Sequence, residues 1–274
     1  MQLYIGFLIG ILIAFLAWRA RALSRSGALA AAITGGLIFS LGGLAWATLL
    51  LAFFISSSVL SRAFARRKAG LSEKFAKGSQ RDWGQVLANG GLGALLAVIH
   101  SFLPGQVWPW VAFAGAMAAV NADTWSTELG VLSPSPPRLI TTCKAVERGT
   151  SGAISPLGSL ASLGGALLIA SLAGLLSNEA TLSWENFLIL LTAATLGGLG
   201  GGFFDSLLGA TVQAIYWCPT CQKETERHPQ HTCETPTSIR RGWRWLENDE
   251  VNFAASLIGA LLTVGIWKIL VQIL

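Results

Sequence analysis

Residues 121–152 read NADTWSTELGVLSPSPPRLITTCKAVERGTSG, and they interrupt a chain that is otherwise largely apolar. Continuous apolar sequence lies on both sides of them. The stretch itself carries carboxylates, then cations, and then a run of Gly, Thr and Ser. Carboxylates at a membrane boundary, followed by cations and a small-residue turn, are the groups that a metal–phosphate site requires. The sequence therefore predicts a membrane protein whose active-site loop is residues 121–152.

Composition supports the membrane assignment for the whole chain. Hydrophobic residues make up 53% of it and charged residues only 12%, with a mean hydropathy of +0.58, whereas soluble domains carry about 25% charged residues. Only helices and closed barrels can span a bilayer, and the apolar runs here are continuous rather than alternating. The expected fold is therefore all-α, a polytopic transmembrane helical protein forming a single membrane domain over residues 1–274.

Span counting predicts about eight membrane segments, with seven to nine as the range, at about 20 residues per span. Residues 28–60 are too long for one span, and Leu41-Gly42-Gly43 divides them into a tight hairpin of two helices or a short re-entrant piece followed by a span. A second glycine run, residues 197–202, is expected to break another long segment. The remaining predicted spans are residues 3–18, 86–102, 107–120, 153–176, 187–215 and 251–270.

Loop charge predicts the orientation. Eighteen of the nineteen Lys and Arg residues lie in four loops, and the turns near Gly42, Gly105 and Asn178 hold none. The positive-inside rule places the basic loops in the cytoplasm and both termini outside a cell membrane that the chain crosses several times. The net charge of +5 is explained in this way, so nucleic acid is not expected as a partner. The basic loops are residues 19–25, the strongly basic 61–85, the active-site loop 121–152 and the Cys/His loop 216–250.

Three carboxylates are candidate Mg²⁺ ligands. Asp123 follows an apolar run and Asp205 follows a glycine run, and a carboxylate at the edge of lipid is costly unless it is paired or bound to metal. Asp123 and Glu128 are about 140° apart on a regular helix, so joint binding of one ion requires a break in the backbone or a bridging water. The alternatives are solvation at a helix end for Asp123 and Glu128, and a structural hydrogen bond for Asp205.

Three cations and a small-residue turn follow the carboxylates. Arg138, Lys144 and Arg148 are candidate phosphate-binding residues, because phosphoryl transfer depends on positioning and charge neutralisation. Ordinary positive-inside charge is the alternative for each. The run Gly149-Thr150-Ser151-Gly152 precedes an apolar segment and is predicted to offer backbone N–H groups to phosphate at a helix N-terminus, although small residues also cap helices. No GxxxxGK[ST] motif occurs.

Three asparagines at membrane boundaries, Asn89, Asn121 and Asn252, are candidate ligands of nucleotide, phosphate or metal, because unbonded amides are costly there. Helix capping explains them equally well.

The loop CPTCQKETERHPQHTC offers a candidate zinc site. Cys218, Cys221 and Cys233, together with one histidine, supply the thiolate and imidazole ligands that tetrahedral Zn²⁺ prefers. Both His228 and His231 are available, and His231 is the predicted ligand. Such a zinc would be structural, bracing a loop with little core of its own, and reduced thiols in a polar loop are the alternative.

At NADTWSTELG, VERGTSGAIS, DSLLGATVQ, NDEVNF and QVLANGG, the sequence resembles the integral membrane family that includes phytyl-phosphate kinase and transmembrane protein nineteen. More distantly it is similar to dolichol kinase and to membrane CTP-dependent cytidylyltransferases. The resemblance implies Asp123 and Asp205 as metal ligands, with Lys144, Gly149 and Thr150 at the nucleotide. The predicted catalytic residues are therefore Asp123, Lys144 and Asp205. The cysteine-rich loop lies outside the shared pattern.

The function predicted from these features is a membrane-embedded kinase that transfers a phosphoryl group from an NTP, with CTP as one conceivable donor, to an isoprenyl monophosphate. The expected cofactor is Mg²⁺ and the expected partners are the nucleotide and the isoprenyl phosphate lipid. A lipid alcohol kinase or CTP-dependent cytidylyltransferase is an enzymatic alternative. A transporter of a phosphorylated lipid is an alternative from another class, disfavoured because the charged motifs cluster on the cytoplasmic side rather than at the midplane.

Overall fold

The computed structural model describes residues 2–65, 73–78, 80–177 and 183–273, so the predicted turn at Asn178 and the middle of the basic loop 61–85 lie outside the described residues. The described part contains eight α-helices and one π-helical turn, Ile38–Gly42. The helices are α1 (Gln2–Arg19), α2 (Arg25–Leu37), α3 (Gly43–Ala63), α4 (Trp83–Phe102), α5 (Trp108–Gly130), α6 (Pro156–Leu175), α7 (Trp184–Thr211) and α8 (Asn248–Ile273).

The helices define an integral membrane protein. Within the described ranges, five helical segments are long and apolar enough to cross a membrane, if Arg25–Ala63 is taken as one segment of 39 residues. The shorter Leu3–Arg19 is also apolar. The prediction of eight spans is not confirmed by this count and stays a prediction.

The segment from α2 to α3 forms a hairpin at the predicted glycine break. Gly43 has a positive φ of 79° after the π-helical turn, a conformation that glycine adopts readily. Both ends of the hairpin lie on the same side of the bundle. The backbone N–H of Ser24, before α2, donates to the Arg81 carbonyl at 3.0 Å, and the Arg62 guanidinium, at the end of α3, donates to the Ala20 carbonyl at 2.5 Å.

Helix α5 lies at the centre of the bundle. Every residue from Pro109 to Ala122 is buried, and half of them are Ala or Gly. Helix α5 packs against α3, α4, α6, α7 and α8. Because other helices rather than lipid surround it, α5 does not need the strong apolar character of a lipid-facing span. This central position fixes the direction in which its polar C-terminal turns project.

The glycine run 197–202 does not break a helix, and this expectation was wrong. Helix α7 is continuous for 28 residues. A methyl group built at Gly198 would lie 2.7 Å from the Ala118 side chain, and one at Gly201 would lie 2.5 Å from that of Ala119. The glycines therefore serve close approach of α7 to α5, as small residues do in membrane bundles.

The all-α expectation misses two small β-sheets in the loops. Strand β1 (Arg138–Leu139) pairs with β2 (Ala153–Ile154), and a three-stranded antiparallel sheet has the order β4-β3-β5. Its strands are β3 (Ile215–Cys218), β4 (Lys223–Thr225) and β5 (Ser238–Arg241).

The four predicted basic loops meet at one end of the bundle. Lys74 pairs with Glu147 at 2.7 Å, and Lys223 pairs with Glu73 at 2.5 Å. The Arg81 N–H donates to the Ala22 carbonyl at 3.0 Å. These contacts join the loops that follow α1, α3, α5 and α7.

Candidate functional site

A polar cavity of about 460 Å³ opens at the end of the bundle where these loops meet. The predicted site residues that line it are Asn89, Asp123, Glu128, Arg148, Gly149, Thr150, Ser151, Gly152, Asp205 and Asn252. They come from α4, α5, α7, α8 and the turn before α6. The fold thus brings most of the predicted site together from five separate parts of the chain.

The backbones of α5 and α7 approach closely near Asp123 and Asp205. A methyl group built at Gly202, three residues before Asp205, would lie 3.6 Å from the Asp123 backbone nitrogen. Asp123, Asp205 and Glu226 all line this one cavity. The Oδ2 atom of Asp205 is buried and has no hydrogen-bond partner among the described residues. Two carboxylates in one cavity, one with an unsatisfied oxygen, are an arrangement that a hard divalent cation stabilises.

Glu128 lies in the same cavity but has different partners. Helix α5 has no break between Asp123 and Glu128, because it runs on to Gly130. The first ten residues of the predicted active-site loop are therefore helical, which corrects its boundary. Ser61, in the last turn of α3, donates a 2.7 Å hydrogen bond to Glu128 Oε1. The continuous helix keeps the carboxylate of Glu128 on a different face from that of Asp123.

The turn 149–152 lies tightly against the end of α7. Gly149 and Gly152 have positive φ values of 78° and 79°. A methyl group on Gly152 would lie 2.2 Å from the Ala210 backbone nitrogen, so no side chain fits there. Ser151 Oγ donates to Gln213 Oε1 at 2.6 Å.

The N-terminus of α6 faces the cavity immediately after this turn. Ser155 caps the helix by accepting the Gly158 N–H at 3.1 Å, and both residues line the cavity. The helix N-terminus and its macrodipole favour an anion at this point.

Three predicted site residues lie away from the cavity lining. Asn121 is fully buried between helices, where its Nδ2 donates to the Gly165 carbonyl at 2.8 Å and its Oδ1 accepts from Ser56 Oγ at 3.1 Å. Arg138 and Lys144 are exposed on the β1 loop, and the Arg138 guanidinium donates to the Cys143 carbonyl at 2.7 Å.

The cavity also contains residues that the sequence reasoning did not assign to it: Lys77, Arg81, Gln85, Glu226 and Asn248. Arg81 directly precedes Asp82, which caps α4 and forms a capping box with Gln85. The capping-box sequence could have located the start of α4, and with it the positions of Arg81 and Gln85. Glu226 had no such signal, because only the folded hairpin brings it over the site.

Burial and local partners tune the charged groups at the rim. Burial lowers the pKa of Arg81 to about 10, so the guanidinium stays protonated at neutral pH. Burial alone would lower the pKa of Lys77, but hydrogen bonds to Asp249 and Asp82 outweigh it and raise that pKa. Burial raises the pKa of Glu226 above that of an ordinary glutamate, despite hydrogen bonds from Ala76 and Gln213.

An apolar pocket of about 90 Å³ lies beside the polar cavity, between α1, α2, α3 and α4. Its walls are side chains such as Ile13 of α1, Ala31 of α2 and Leu50 of α3. Arg81, Gln85 and Asn89 line both the pocket and the polar cavity. Two spaces of opposite polarity therefore adjoin at these three side chains.

The predicted zinc ligands form a separate cluster. The ligand atoms of Cys218, Cys221, His231 and Cys233 all lie within 4.8 Å of one another. His228, the other candidate, instead stacks on the Tyr216 ring with centroids 4.5 Å apart.

The fold and the cavity together define a helical integral membrane protein with a carboxylate-bearing polar site where its loops converge. The chain belongs to the integral membrane protein family DUF92, whose sequence model matches residues 8–260.

Curated relatives extend over nearly the whole chain. It is 34% identical to Protein PGR of Arabidopsis thaliana, covering 96% of this chain and 95% of the relative. It is 32% identical to an uncharacterized membrane protein of Methanocaldococcus jannaschii, covering 97% and 94%. It is 24% identical to the chloroplastic Protein VTE6 of Arabidopsis thaliana, covering 91% and 67%. No solved structure matches the chain.

Proposed function

We infer that this protein is a Mg²⁺-dependent phosphotransferase that transfers the terminal phosphoryl group of an NTP to an isoprenyl monophosphate. The observation that carries this proposal is the junction of the polar cavity with the apolar pocket at Arg81, Gln85 and Asn89. A substrate that fits both spaces has an anionic head and an apolar tail. The resemblance to phytyl-phosphate kinase favours an isoprenyl phosphate as that substrate.

Arg81 is the residue best placed to bind the acceptor head group. Its guanidinium lies 4.9 Å from the centroid of the Phe53 ring and donates to Ser57 Oγ at 2.8 Å. These contacts hold the cation at the boundary between the two spaces. A phosphate bound to Arg81 would direct its tail between α2 and α3, where the pocket is apolar. Because the pocket is small, it would hold only the carbons nearest the phosphate, and the rest of the tail would lie in the bilayer.

Asp123 and Asp205 would hold the Mg²⁺ of the nucleotide. The donor set fits, because both groups are carboxylates and Asp205 Oδ2 is buried without a partner among the described residues. When bound, the ion supplies positive charge that offsets the repulsion between the two anionic substrates. Glu128 is hydrogen-bonded to Ser61 and lies on a different face of α5, so it would contact the same ion through a bridging water.

The remaining groups would position the nucleotide phosphates. Arg148 lines the cavity while its Nη2 donates to the Ser133 carbonyl at 2.7 Å, so its guanidinium is held at the rim. The turn 149–152 and the N-terminus of α6 provide the anion-binding end of a helix beside it. Asn89 and Asn252 provide further amide groups in the cavity lining.

In the transfer itself, an oxygen of the acceptor phosphate attacks the γ-phosphorus of the NTP. The bond from that phosphorus to the β–γ bridging oxygen breaks, and the products are the isoprenyl diphosphate and an NDP. The attacking oxygen is already ionised, so the chain does not need to supply a strong general base. Its task is to align two anions and exclude water, and positioning of this kind accounts for much of enzymatic phosphoryl transfer.

The orientation proposed for this reaction places the cavity on the cytoplasmic side, where the nucleotide is available, and both termini outside. Support comes from the loop charge and from the convergence of the four basic loops at the cavity end.

The test is an assay of the purified protein with phytyl or geranylgeranyl monophosphate, Mg²⁺ and each of the four NTPs in turn. Label from the γ-position is expected in the lipid product with at least one donor. Asp123→Asn should lower this transfer at least about 100-fold, whereas Glu185→Gln is the matched control. Glu185 is an exposed carboxylate in the first turn of α7, roughly 30 Å along the helix from Asp205.

Other outcomes replace the proposal with a different function. Label in the lipid from the α-position would identify a nucleotidyltransferase. Transfer to an isoprenol but not to its phosphate would identify a lipid alcohol kinase. No transfer from any NTP to any of these acceptors would overturn the enzymatic proposal in favour of a transporter.

A further inference from the structure

The segment between α7 and α8 contains a second cluster of chemically reactive side chains, away from the carboxylates of the cavity. Cys218 ends strand β3, Cys221 lies in the turn to β4, and His231 and Cys233 lie in the loop before β5. Cys218 is fully buried and His231 is nearly so. Two separate turns therefore converge on one point.

Four of the six distances between these ligand atoms are close to the edges of a metal tetrahedron, and the other two are below 4.8 Å. Cys218 Sγ lies 3.5 Å from Cys233 Sγ, which lies 3.4 Å from Cys221 Sγ. His231 Nδ1 lies 3.5 Å from Cys221 Sγ and 3.3 Å from Cys233 Sγ. With Zn–S and Zn–N bonds of about 2.3 and 2.0 Å, the edges of a tetrahedral site are about 3.8 Å between sulfurs and about 3.5 Å from sulfur to nitrogen. A disulfide would need sulfurs about 2.05 Å apart and would use only two of the three.

The backbone around the cluster has the form of a metal-binding turn. The Cys221 N–H points to Cys218 Sγ at 3.4 Å, and the Gln222 N–H donates to the Cys218 carbonyl at 2.9 Å. Gln222 and Glu234, each one residue after a cysteine of the cluster, have positive φ values of 52° and 62°. Left-handed backbone at non-glycine residues costs free energy, and it persists where surrounding contacts enforce it.

The size of this segment gives an independent reason for a metal. Residues 212–247 contain the three-stranded sheet and have few buried apolar side chains, chiefly Ile215, Tyr216 and Leu246. Units of fewer than about 40 residues rarely bury enough apolar surface to fold without a metal or disulfides.

We propose that Cys218, Cys221, His231 and Cys233 bind one structural Zn²⁺, and that this zinc holds the β3–β4 hairpin over the cavity. Three sulfurs and one imidazole nitrogen in a closed tetrahedral set are typical of zinc. The ion closes the turn from which strand β4 starts, and Glu226 follows directly after that strand.

The contacts of β4 explain how a zinc ion bound at the hairpin would stabilise the wall of the cavity. Thr225 Oγ1 donates to the Glu73 carbonyl at 2.8 Å, and the Glu226 N–H donates to the Lys74 carbonyl at 2.9 Å. The hairpin thereby holds residues 73–78, which carry Lys77 into the cavity. This second step, from zinc to nucleotide binding, rests on the proposed function, whereas the metal site itself does not.

The first experiment measures the metal content of protein purified without added metal or chelator. One zinc per chain is expected in the wild type. Cys218→Ser and His231→Asn should lose it. The matched controls Cys143→Ser and His228→Asn should keep it, since Cys143 is exposed on the β1 loop and His228 stacks on Tyr216. Iron in place of zinc, no metal, or a disulfide found by mass spectrometry of the intact chain would each overturn the proposal.

A second measurement uses the wild type, so that it does not depend on the folding of the variants. Protein produced with Co²⁺ should show the visible absorption bands of tetrahedral cobalt with thiolate ligands, and their absence would count against the site. Release of the metal with a thiol-blocking reagent should then increase hydrogen exchange in residues 73–78. Unchanged exchange there would refute the link to the cavity, while zinc bound to a protein without kinase activity would refute only the proposed function.

Discussion

Ser151 donates a 2.6 Å hydrogen bond to the side-chain oxygen of Gln213, and so joins the small-residue turn before α6 to the end of α7. The other end of the same amide donates to Glu226 at 3.1 Å. Gln213 is only 2% exposed. One amide thereby connects the turn, the helix that carries Asp205, and the hairpin beyond it.

Gln213→Leu should therefore destabilise the protein. The substitution leaves the Ser151 hydroxyl and one oxygen of Glu226 without their partner at partly buried positions, and each such loss costs about 1 kcal/mol. A lower midpoint of thermal unfolding in detergent is expected, together with reduced phosphoryl transfer. The matched control is Gln106→Leu in the exposed turn before α5, which should leave both quantities unchanged. Equal stability of the two variants would show that the connection carries no free energy.

The position of Asp123 and Asp205 in the lining of one cavity could be predicted from the sequence, because carboxylates next to apolar runs have few inexpensive places in a membrane protein. Asn121 shared that signal but has another role. Its amide is satisfied by the Gly165 carbonyl and the Ser56 hydroxyl, and so it binds α5 to two neighbouring helices. Sequence position places a polar residue at a membrane boundary but does not indicate which side of the helix it occupies.

The glycines of α7 illustrate a second limit. A run of glycine is compatible with a broken helix and with close packing, and only the partner helix decides between them. Here the alanines of α5 face the run, so the helix continues. Glu226 lies beyond sequence reasoning for a related reason. Its place in the cavity depends on a hairpin that contacts residues 73–78, about 150 positions earlier in the chain.

Filling the apolar pocket should impair long acceptors selectively. A methyl group built at Gly90 meets nothing within 4 Å, because this buried glycine of α4 faces the pocket. Gly90→Leu should raise the KM for geranylgeranyl phosphate about tenfold or more, since pocket contacts of a few carbons discriminate by this amount. A short acceptor such as dimethylallyl phosphate should be affected much less. Steady-state kinetics with the two acceptors measures this ratio.

Two controls separate pocket filling from changes in stability. Gly90→Ala should keep the long acceptor's KM and gain about 0.5–1 kcal/mol of stability, as alanine does over glycine inside a helix. Gly265→Leu introduces the same side chain at an exposed, open position of α8. If Gly90→Leu and Gly265→Leu raised the KM values of both acceptors equally, the pocket would not be the tail site.

Arg148 and Lys144 should differ sharply, although they are four residues apart. Arg148 lines the cavity, whereas Lys144 is exposed on the β1 loop outside the cavity lining. Arg148→Met should raise the KM for the NTP about tenfold or more, because a charge-assisted hydrogen bond contributes about 1.5–3 kcal/mol. Lys144→Met should stay within about twofold of the wild type, as exposed substitutions generally do. Initial rates over a range of NTP concentrations test both. A larger loss at Lys144 would restore it to the nucleotide site.

The raised pKa of Glu226 should make the stability of the protein depend on pH. Burial raises its pKa in the folded protein, while in the unfolded chain it titrates near about 4.3. Between these two values the folded state binds more protons than the unfolded state, so this group makes the free energy of unfolding fall as the pH rises through the window. Well below pH 4 Glu226 is protonated in both states and does not lower the free energy of unfolding.

Glu226→Gln should remove this component of the pH dependence. It keeps one side-chain oxygen, so it retains one of the two hydrogen bonds that Glu226 accepts, from Gln213 Nε2 or from the Ala76 N–H, and the loss of the other does not depend on pH. The difference in stability between the variant and the wild type should therefore shift in favour of the variant as the pH rises above about 4.3. Thermal unfolding at a series of pH values measures it, with Glu224→Gln as the control because Glu224 is exposed on β4. A pH-independent difference would mean that the carboxyl group of Glu226 titrates in the folded protein as it does in the unfolded chain, and that its burial in the cavity carries no electrostatic cost.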